Sequence, residues 1–213
     1  MFFAGGVLFD CRTRWAAGSI ARQLGDRSVS LIALTHAHPD HWGSAAALSS
    51  RFGARVAVHE ADAGIVAGRD AAGSHLAFRV GKRLWEGRPC TEVAVLREGD
   101  KVGDFTVVHM PGHSAGHVAY FRESDRVAVT GDLFSTMDSR TRRTRIAEPP
   151  AFLSVDAEEN RRSIRRLLDL KPSVVLPGHG PALRDLDHAL ELVARIGLTR
   201  AHERGEPASS PAL

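Results

Sequence analysis

Cysteine is nearly absent: Cys11 and Cys90 are the only two in 213 residues, which excludes a disulfide framework and predicts two free thiols in a reducing, cytoplasmic setting. Lysine is almost as scarce, confined to Lys82, Lys101 and Lys171. The formal net charge of +3 is therefore an arginine excess that names no partner by itself. No apolar stretch approaches the roughly 20 residues that a membrane-spanning helix requires. The apolar start, 1–9, has no basic residue ahead of it and is cut off by Asp10, too early for a secretory signal, so it is predicted to be a strand. No internal repeat with a period of about 20 to 50 residues is present. What remains, 43% hydrophobic and 25% charged, suits one packed domain over 1–204, with a Pro- and Ser-rich tail over 205–213 expected to be disordered. Histidine stands out, at 11 residues.

Short apolar runs and glycine stops order the chain. Residues 29–34 read as a buried strand, 43–50 as an Ala-rich helix ended by Arg51-Phe52-Gly53, 54–58 as the next strand and 60–67 as a short helix. Strand, helix and strand with short connections mark an α/β layer. The pattern weakens over 68–89. Residues 91–96, 105–110, 117–121 and 127–130 are strand candidates separated by turns such as Glu98-Gly99-Asp100, and antiparallel structure is expected of them. The polar, Arg-rich stretch 133–150 reads as a long functional loop. A helix over 156–170 with Asp156 as N-cap, a buried strand over 173–176 and a closing helix over 181–198 complete the order.

The histidines cluster at ligand spacing. In extended backbone, side chains two apart share a face, so His36 and His38 can grip one ion together, and Pro39 keeps His38 out of the α region. Beyond the proline the chain must turn, which lets Asp40 and His41 reach a second position a few ångströms away. His113, Asp132 and His179 each follow a strand candidate directly, and each is flanked by glycine that permits a tight turn. Five histidines and two carboxylates can then hold two divalent ions roughly 3.5 to 4 Å apart with one carboxylate between them.

Thr35-His36-Ala37-His38-Pro39-Asp40-His41, Pro111-Gly112-His113-Ser114-Ala115-Gly116-His117, Thr130-Gly131-Asp132 and Pro177-Gly178-His179-Gly180 resemble, in order, the motifs of the metallo-β-lactamase superfamily. The strand end Gly6-Val7-Leu8-Phe9-Asp10 stands as the first landmark, and the resemblance runs over about residues 5 to 200. It implies an α/β fold, the αββα sandwich, with metals in a shallow groove at one sheet edge. It also implies that His36, His38 and His113 hold a first ion, Asp40, His41 and His179 a second, and that Asp132 bridges. The chain departs from the pattern at its start: relatives usually carry one or two more strands before Asp10, and Asp10-Cys11-Arg12 stands where Asp-Thr-Gly is common. The first sheet is thus expected to lack one or two N-terminal strands, and a homodimer is one way to cover such an edge.

Two divalent ions that share a water generate hydroxide near neutral pH, Asp40 can hold it in line and take its proton, and the ions polarise a carbonyl. Hydrolysis of an ester, thioester or lactone is the expected activity, with zinc foremost and iron or manganese admitted by ligands that include no thiolate. Asp132 at the bridging position resembles the glyoxalase II and lactonase-like branches, whereas dedicated β-lactamases tend to have Cys or Ser there. Glutathione thioesters are not expected, because 33 residues follow Gly180, too few for a glutathione-binding helical domain. A mononuclear-iron persulfide dioxygenase, on two histidines and an aspartate, is the alternative chemistry. The arginines Arg140, Arg142, Arg143 and Arg145, followed by Arg161, Arg162, Arg165 and Arg166, raise a non-enzymatic alternative, a nucleic-acid or anion-binding module. No aromatic residues interleave with them as a stacking platform would need, so a small acidic substrate is the expected partner instead. His117 is expected to support the ligands by hydrogen bonding, and Trp42 to be core or groove wall.

Overall fold

The computed structural model describes residues 1–70, 87–138, 141 and 143–184. Strands β1 (Phe2–Ala4) and β2 (Val7–Phe9) form an antiparallel hairpin with Phe2 opposite Phe9. Gly5 and Gly6 turn it with φ of 55° and 80°, the left-handed backbone that two-residue hairpin turns demand. The single strand expected over 1–9 is therefore two, because the glycine pair breaks an apolar run that composition alone reads as continuous. Helix α1 (Ala17–Leu24) crosses over to β3 (Leu31–Ala33), which lies parallel to β2. A four-residue helix, α2 (Pro39–Trp42), leads into α3 (Ala45–Phe52), which stops at Gly53 with φ 66°. Next come β4 (Arg55–His59), α4 (Glu60–Val66) and β5 (Val93–Leu96). The first sheet has the order β1-β2-β3-β4-β5 and is parallel from β2 onward. β5 thus belongs beside β4 and not in the antiparallel run expected of it.

The second sheet is built from β6 (Lys101–Val102), β7 (Phe105–His109), β8 (Val118–Arg122) and β9 (Val127–Gly131), antiparallel throughout, with β12 (Val174–Pro177) added parallel to β9. Between β9 and β12 the expected loop 133–150 contains a small hairpin, β10 (Ser135–Met137) and β11 (Thr144–Ala147). Helix α5 (Ala157–Asp169) follows, and Asp156 caps it as expected, its Oδ1 accepting the N–H groups of Glu158 and Glu159 at 2.9 Å each. The closing helix expected over 181–198 begins in described residues, where Leu183 instead pairs with Val175; the rest of it, the tail from 205 and most of 68–89 lie outside them.

Alternation along the strands sorts the apolar residues into three layers. Val7, Phe9, Ala33 and Ala57 face Phe105, Val107, Val118, Tyr120 and Val129 between the sheets. Leu8, Ile32, Val56 and Val58 turn the other way onto Ile20, Leu24 and Leu48 of α1 and α3. Val108, Ala119, Phe121, Ala128 and Val175 turn away from the centre onto Ile164 and Leu167 of α5. The result is the αββα sandwich. No helix among the described residues is long and apolar enough to cross a membrane.

Phe9 packs with its ring centroid 4.9 Å from those of both Phe105 and Tyr120, and the fully buried Tyr120 donates its hydroxyl to the carbonyl of Leu34 at 2.6 Å, from the second sheet to the first. Tyr120→Phe keeps the ring and strands that carbonyl, so unfolding free energy should fall by about 1 to 2 kcal/mol. Denaturant titration should show a lower midpoint at unchanged slope.

Candidate metal centre

Every sequence-predicted ligand lies at the same end of the sandwich. His36 and His38 leave β3 through Thr35, with His38 extended (φ −81°, ψ 144°) ahead of Pro39, and α2 carries Asp40 and His41. His113 follows β7, Asp132 follows β9 and His179 follows β12. The seven residues form two groups: one donor atom each from His36, His38 and His113 lie within 4.8 Å of one another, and so do donor atoms of Asp40, His41, Asp132 and His179. Gly178 allows this closeness, since a side chain there would collide with the Asp132 carboxylate and the His41 ring.

Outer partners turn the imidazoles. His36 Nδ1 meets Thr35 Oγ1 at 3.0 Å, His41 Nδ1 meets Asp10 Oδ2 at 2.9 Å, and His113 Nδ1 meets Ser154 Oγ at 3.2 Å. That leaves Nε2 of all three, with Asp132 Oδ1, buried and without a hydrogen bond among the described residues. Buried polar atoms are seldom left so, and these four, two from each donor group, fit cations that take lone pairs from imidazole and carboxylate. Trp42 is buried, and its Nε1 donates to the Ala37 carbonyl at 3.1 Å, clamping the backbone between His36 and His38. His117 Nε2 accepts the backbone N–H of Asp132 at 3.0 Å, and burial pushes this imidazole down to about 4, so it stays a neutral acceptor.

Two contributors escaped the sequence reading. Asp10 served there only as a landmark, yet its carboxylate accepts the Thr35 N–H at 2.8 Å and the Thr35 hydroxyl at 2.9 Å besides holding His41. Its signal was position: an acidic residue closing a buried strand at the ligand end. Ser154 had no signal, because its contact with His113 spans 41 residues of separation.

The expected basic run divides. Arg140 and Arg142 lie outside the described residues, Arg143 is exposed, and Arg145 lies 3.6 Å from Asp138. On α5 each arginine meets an acid: Arg161 with Glu148 and Glu158, Arg162 with Glu159, Arg165 with Glu158 and Arg166 with Glu98. That face is self-neutralising, which speaks against an anion-binding module there.

Electrostatics split the histidines. Burial, reinforced by neighbouring imidazoles, pushes His36 and His113 well below the usual range. For His41 burial acts in the same direction but is outweighed by Asp132 and Asp10, which raise it well above the usual range. Hydrogen bonds to Asp132 and Asp40 raise His179 to about 9. Asp132 is held well below the usual carboxylate range, and Asp40 at about 2, both against burial: His41 leads for Asp132, and the His179 hydrogen bond for Asp40.

Comparison with known proteins agrees with this geometry. The sequence profile of the Metallo-beta-lactamase superfamily matches residues 4–179, and the chain belongs to that superfamily of metal-dependent hydrolases. It is 27% identical over 198 residues to the probable metallo-hydrolase YflN of Bacillus subtilis, covering 82% of this chain and 75% of that one. It is 30% identical over 202 residues to a hydroxyacylglutathione hydrolase of Cereibacter sphaeroides, covering 90% and 68%. Among solved structures, TTHA1623 in a di-iron-bound form superposes with a TM-score of 0.63 at 33% identity, covering 89% of this chain and 86% of that one.

In chelator-treated protein a raised histidine stabilises the fold fully below its unfolded value and loses that contribution as pH rises through its folded value. For His179 the window runs from 6.5 to about 9, and His41 acts with the same sign. The melting temperature of chelated protein should therefore fall across that window, and His179→Ala should flatten the slope.

Proposed function

We propose that the protein is a dinuclear metal-dependent hydrolase of thioesters, esters or lactones. The observation that carries this reading is the reach of Asp132: its Oδ1 lies 3.3 Å from His41 Nε2, while its Oδ2 lies 3.7 Å from His113 Nε2 and 3.3 Å from His179 Nε2, so one carboxylate faces both donor groups. His36, His38 and His113 would hold the first ion and Asp40, His41 and His179 the second, with Asp132 shared between them. The resemblance to a hydroxyacylglutathione hydrolase supports thioester chemistry. A donor set of nitrogen and oxygen suits zinc, iron or manganese, and the di-iron form of a structural neighbour keeps iron beside zinc.

When bound, such a pair acidifies a water towards neutrality and polarises the substrate carbonyl. The chain's own residues do the rest. Asp40, with a third of its side chain exposed, would take a proton from the attacking water and pass it to solvent. The exposure of His179 and Asp40, against the full burial of His36, supports an open side at the group that contains Asp40 and His179.

The β10–β11 hairpin adjoins that open side, since the Thr136 N–H donates to the His179 carbonyl at 2.9 Å. Its arginines Arg143 and Arg145 are exposed and suited to grip a carboxylate or phosphate on the substrate, remote from the reacting carbonyl.

Elemental analysis of protein purified without chelator should find close to two divalent ions per chain, and one or none would overturn the dinuclear reading. Asp132→Ala should lower metal content and reduce kcat/KM at least about a hundredfold. Acidic thioesters or lactones should be turned over better than neutral analogues. Replacing Arg143 and Arg145 by Ala should raise KM for the acidic ones about tenfold with kcat little changed, because remote binding is equal in ground and transition states. Equal turnover of both classes by the parent protein would remove the arginines from substrate recognition.

A further inference from the structure

Asp62 on α4 is 1% exposed and belongs to neither donor group, yet its carboxylate touches both loops that carry the first of them. Its Oδ2 accepts the backbone N–H of Ala37, between His36 and His38, at 2.9 Å and the hydroxyl of Ser114, next to His113, at 2.7 Å. Its Oδ1 accepts the backbone N–H of Gly116 at 3.0 Å. The contact is close enough that a Cβ on Gly116 would lie 2.6 Å from Asp62 Cγ, so the second loop can seat on Asp62 only through glycine. All three donors are neutral, and they arrive from two loops that belong to different sheets.

We propose that Asp62 is the positioning residue that sets the spacing of His36 and His38 against His113, and with it the affinity of the first ion site. This rests on the dinuclear reading above. The two loops enter from opposite sheets, so nothing in either loop alone fixes the gap between their imidazoles. One carboxylate bonded to both does, in the way outer partners govern ligand geometry in metal sites generally. A carboxylate suits the position because three donors converge on two oxygens that only accept. An amide of the same shape would aim N–H at one of those donors. Of the second site's residues, Asp40 and His41 stand beyond Pro39 on α2 and His179 on neither bonded loop, so that site should be affected far less.

The test strips the protein with chelator and titrates it with cobalt(II), following the absorbance of each site, with His38→Ala and His179→Ala identifying which signal belongs to which. In Asp62→Asn the first-site dissociation constant should rise about ten- to a hundredfold while the second stays within about twofold. Ser114→Ala, which removes one donor and leaves the charge, should weaken the first site alone by about two- to fivefold. If the parent takes up two cobalt ions and Asp62→Asn loses neither, or both alike, Asp62 is merely structural and the proposal fails while the dinuclear reading stands. If the parent takes up one ion or none, the dinuclear reading itself fails and the proposal with it. Should Asp62→Asn not fold, selective weakening in Ser114→Ala supports the proposal and an unchanged first site overturns it.

Discussion

Two sheets have to meet at a fixed distance before any of the seven donors is useful. His36, His38, Asp40 and His41 hang from the first sheet, and His113, Asp132 and His179 from the second. The distance is set by apolar packing at the centre, where Phe9 fits between Phe105 and Tyr120, and by polar contacts at the ligand end. There Tyr120 bonds Leu34, the Val118 N–H reaches the Thr35 carbonyl at 2.9 Å, and Asp10 holds both Thr35 and His41. Apolar contact alone is non-directional and would tolerate sliding; the hydrogen bonds remove that freedom within two residues of the first ligand.

Helix α5 braces the other side. Asn160 donates to the Leu133 carbonyl at 2.9 Å, beside Asp132, and Ser163 to the Pro111 carbonyl at 2.7 Å, close to His113. The residues just before the helix add two backbone bonds, from Val155 to His113 and from Asp156 to Gly112. Arg161, 6% exposed in its side chain, pins Glu148 through two nitrogens and so ties the end of the β10–β11 segment to the same helix. Loss of one partner from so buried a pair leaves the other charge stranded, which makes it a constraint on where that segment sits more than a source of net stability.

The cluster of metal-capable side chains was legible in the sequence because it is written locally: side chains two apart in extended backbone, a proline that keeps the residue before it extended, and a single acid or histidine placed soon after a short apolar run. Strands β3 and β4 were legible for the same reason, as short apolar runs on either side of a helix. What stayed hidden depends on contacts distant in sequence or on backbone detail. The Gly5-Gly6 turn splits an apolar run whose composition is uniform, and β5 joins the first sheet across residues whose pattern gives no direction. The β10–β11 hairpin is polar and irregular, with a register shift between Ser135 and Met137, so its period of two is broken. Asp10 and Ser154 act on ligands 31 and 41 residues away, and no local pattern marks such a partner.

The three apolar layers are unequal in what they hold together. Each outer layer joins a sheet to its own helices, whereas among the described residues the layer between the sheets is the only one whose loss separates the donors of the first sheet from those of the second. A fluctuation that parts the sheets while leaving both outer layers intact is therefore a cheaper opening than global unfolding, and it dismantles the donor cluster at once. Ions held across the seam, as proposed above, would act against that one motion, with a leverage that grows with their free concentration. In hydrogen exchange, the amides that bridge the halves, such as Val118 on Thr35, would report metal occupancy, while those inside α1 or α5 would be slow to notice it.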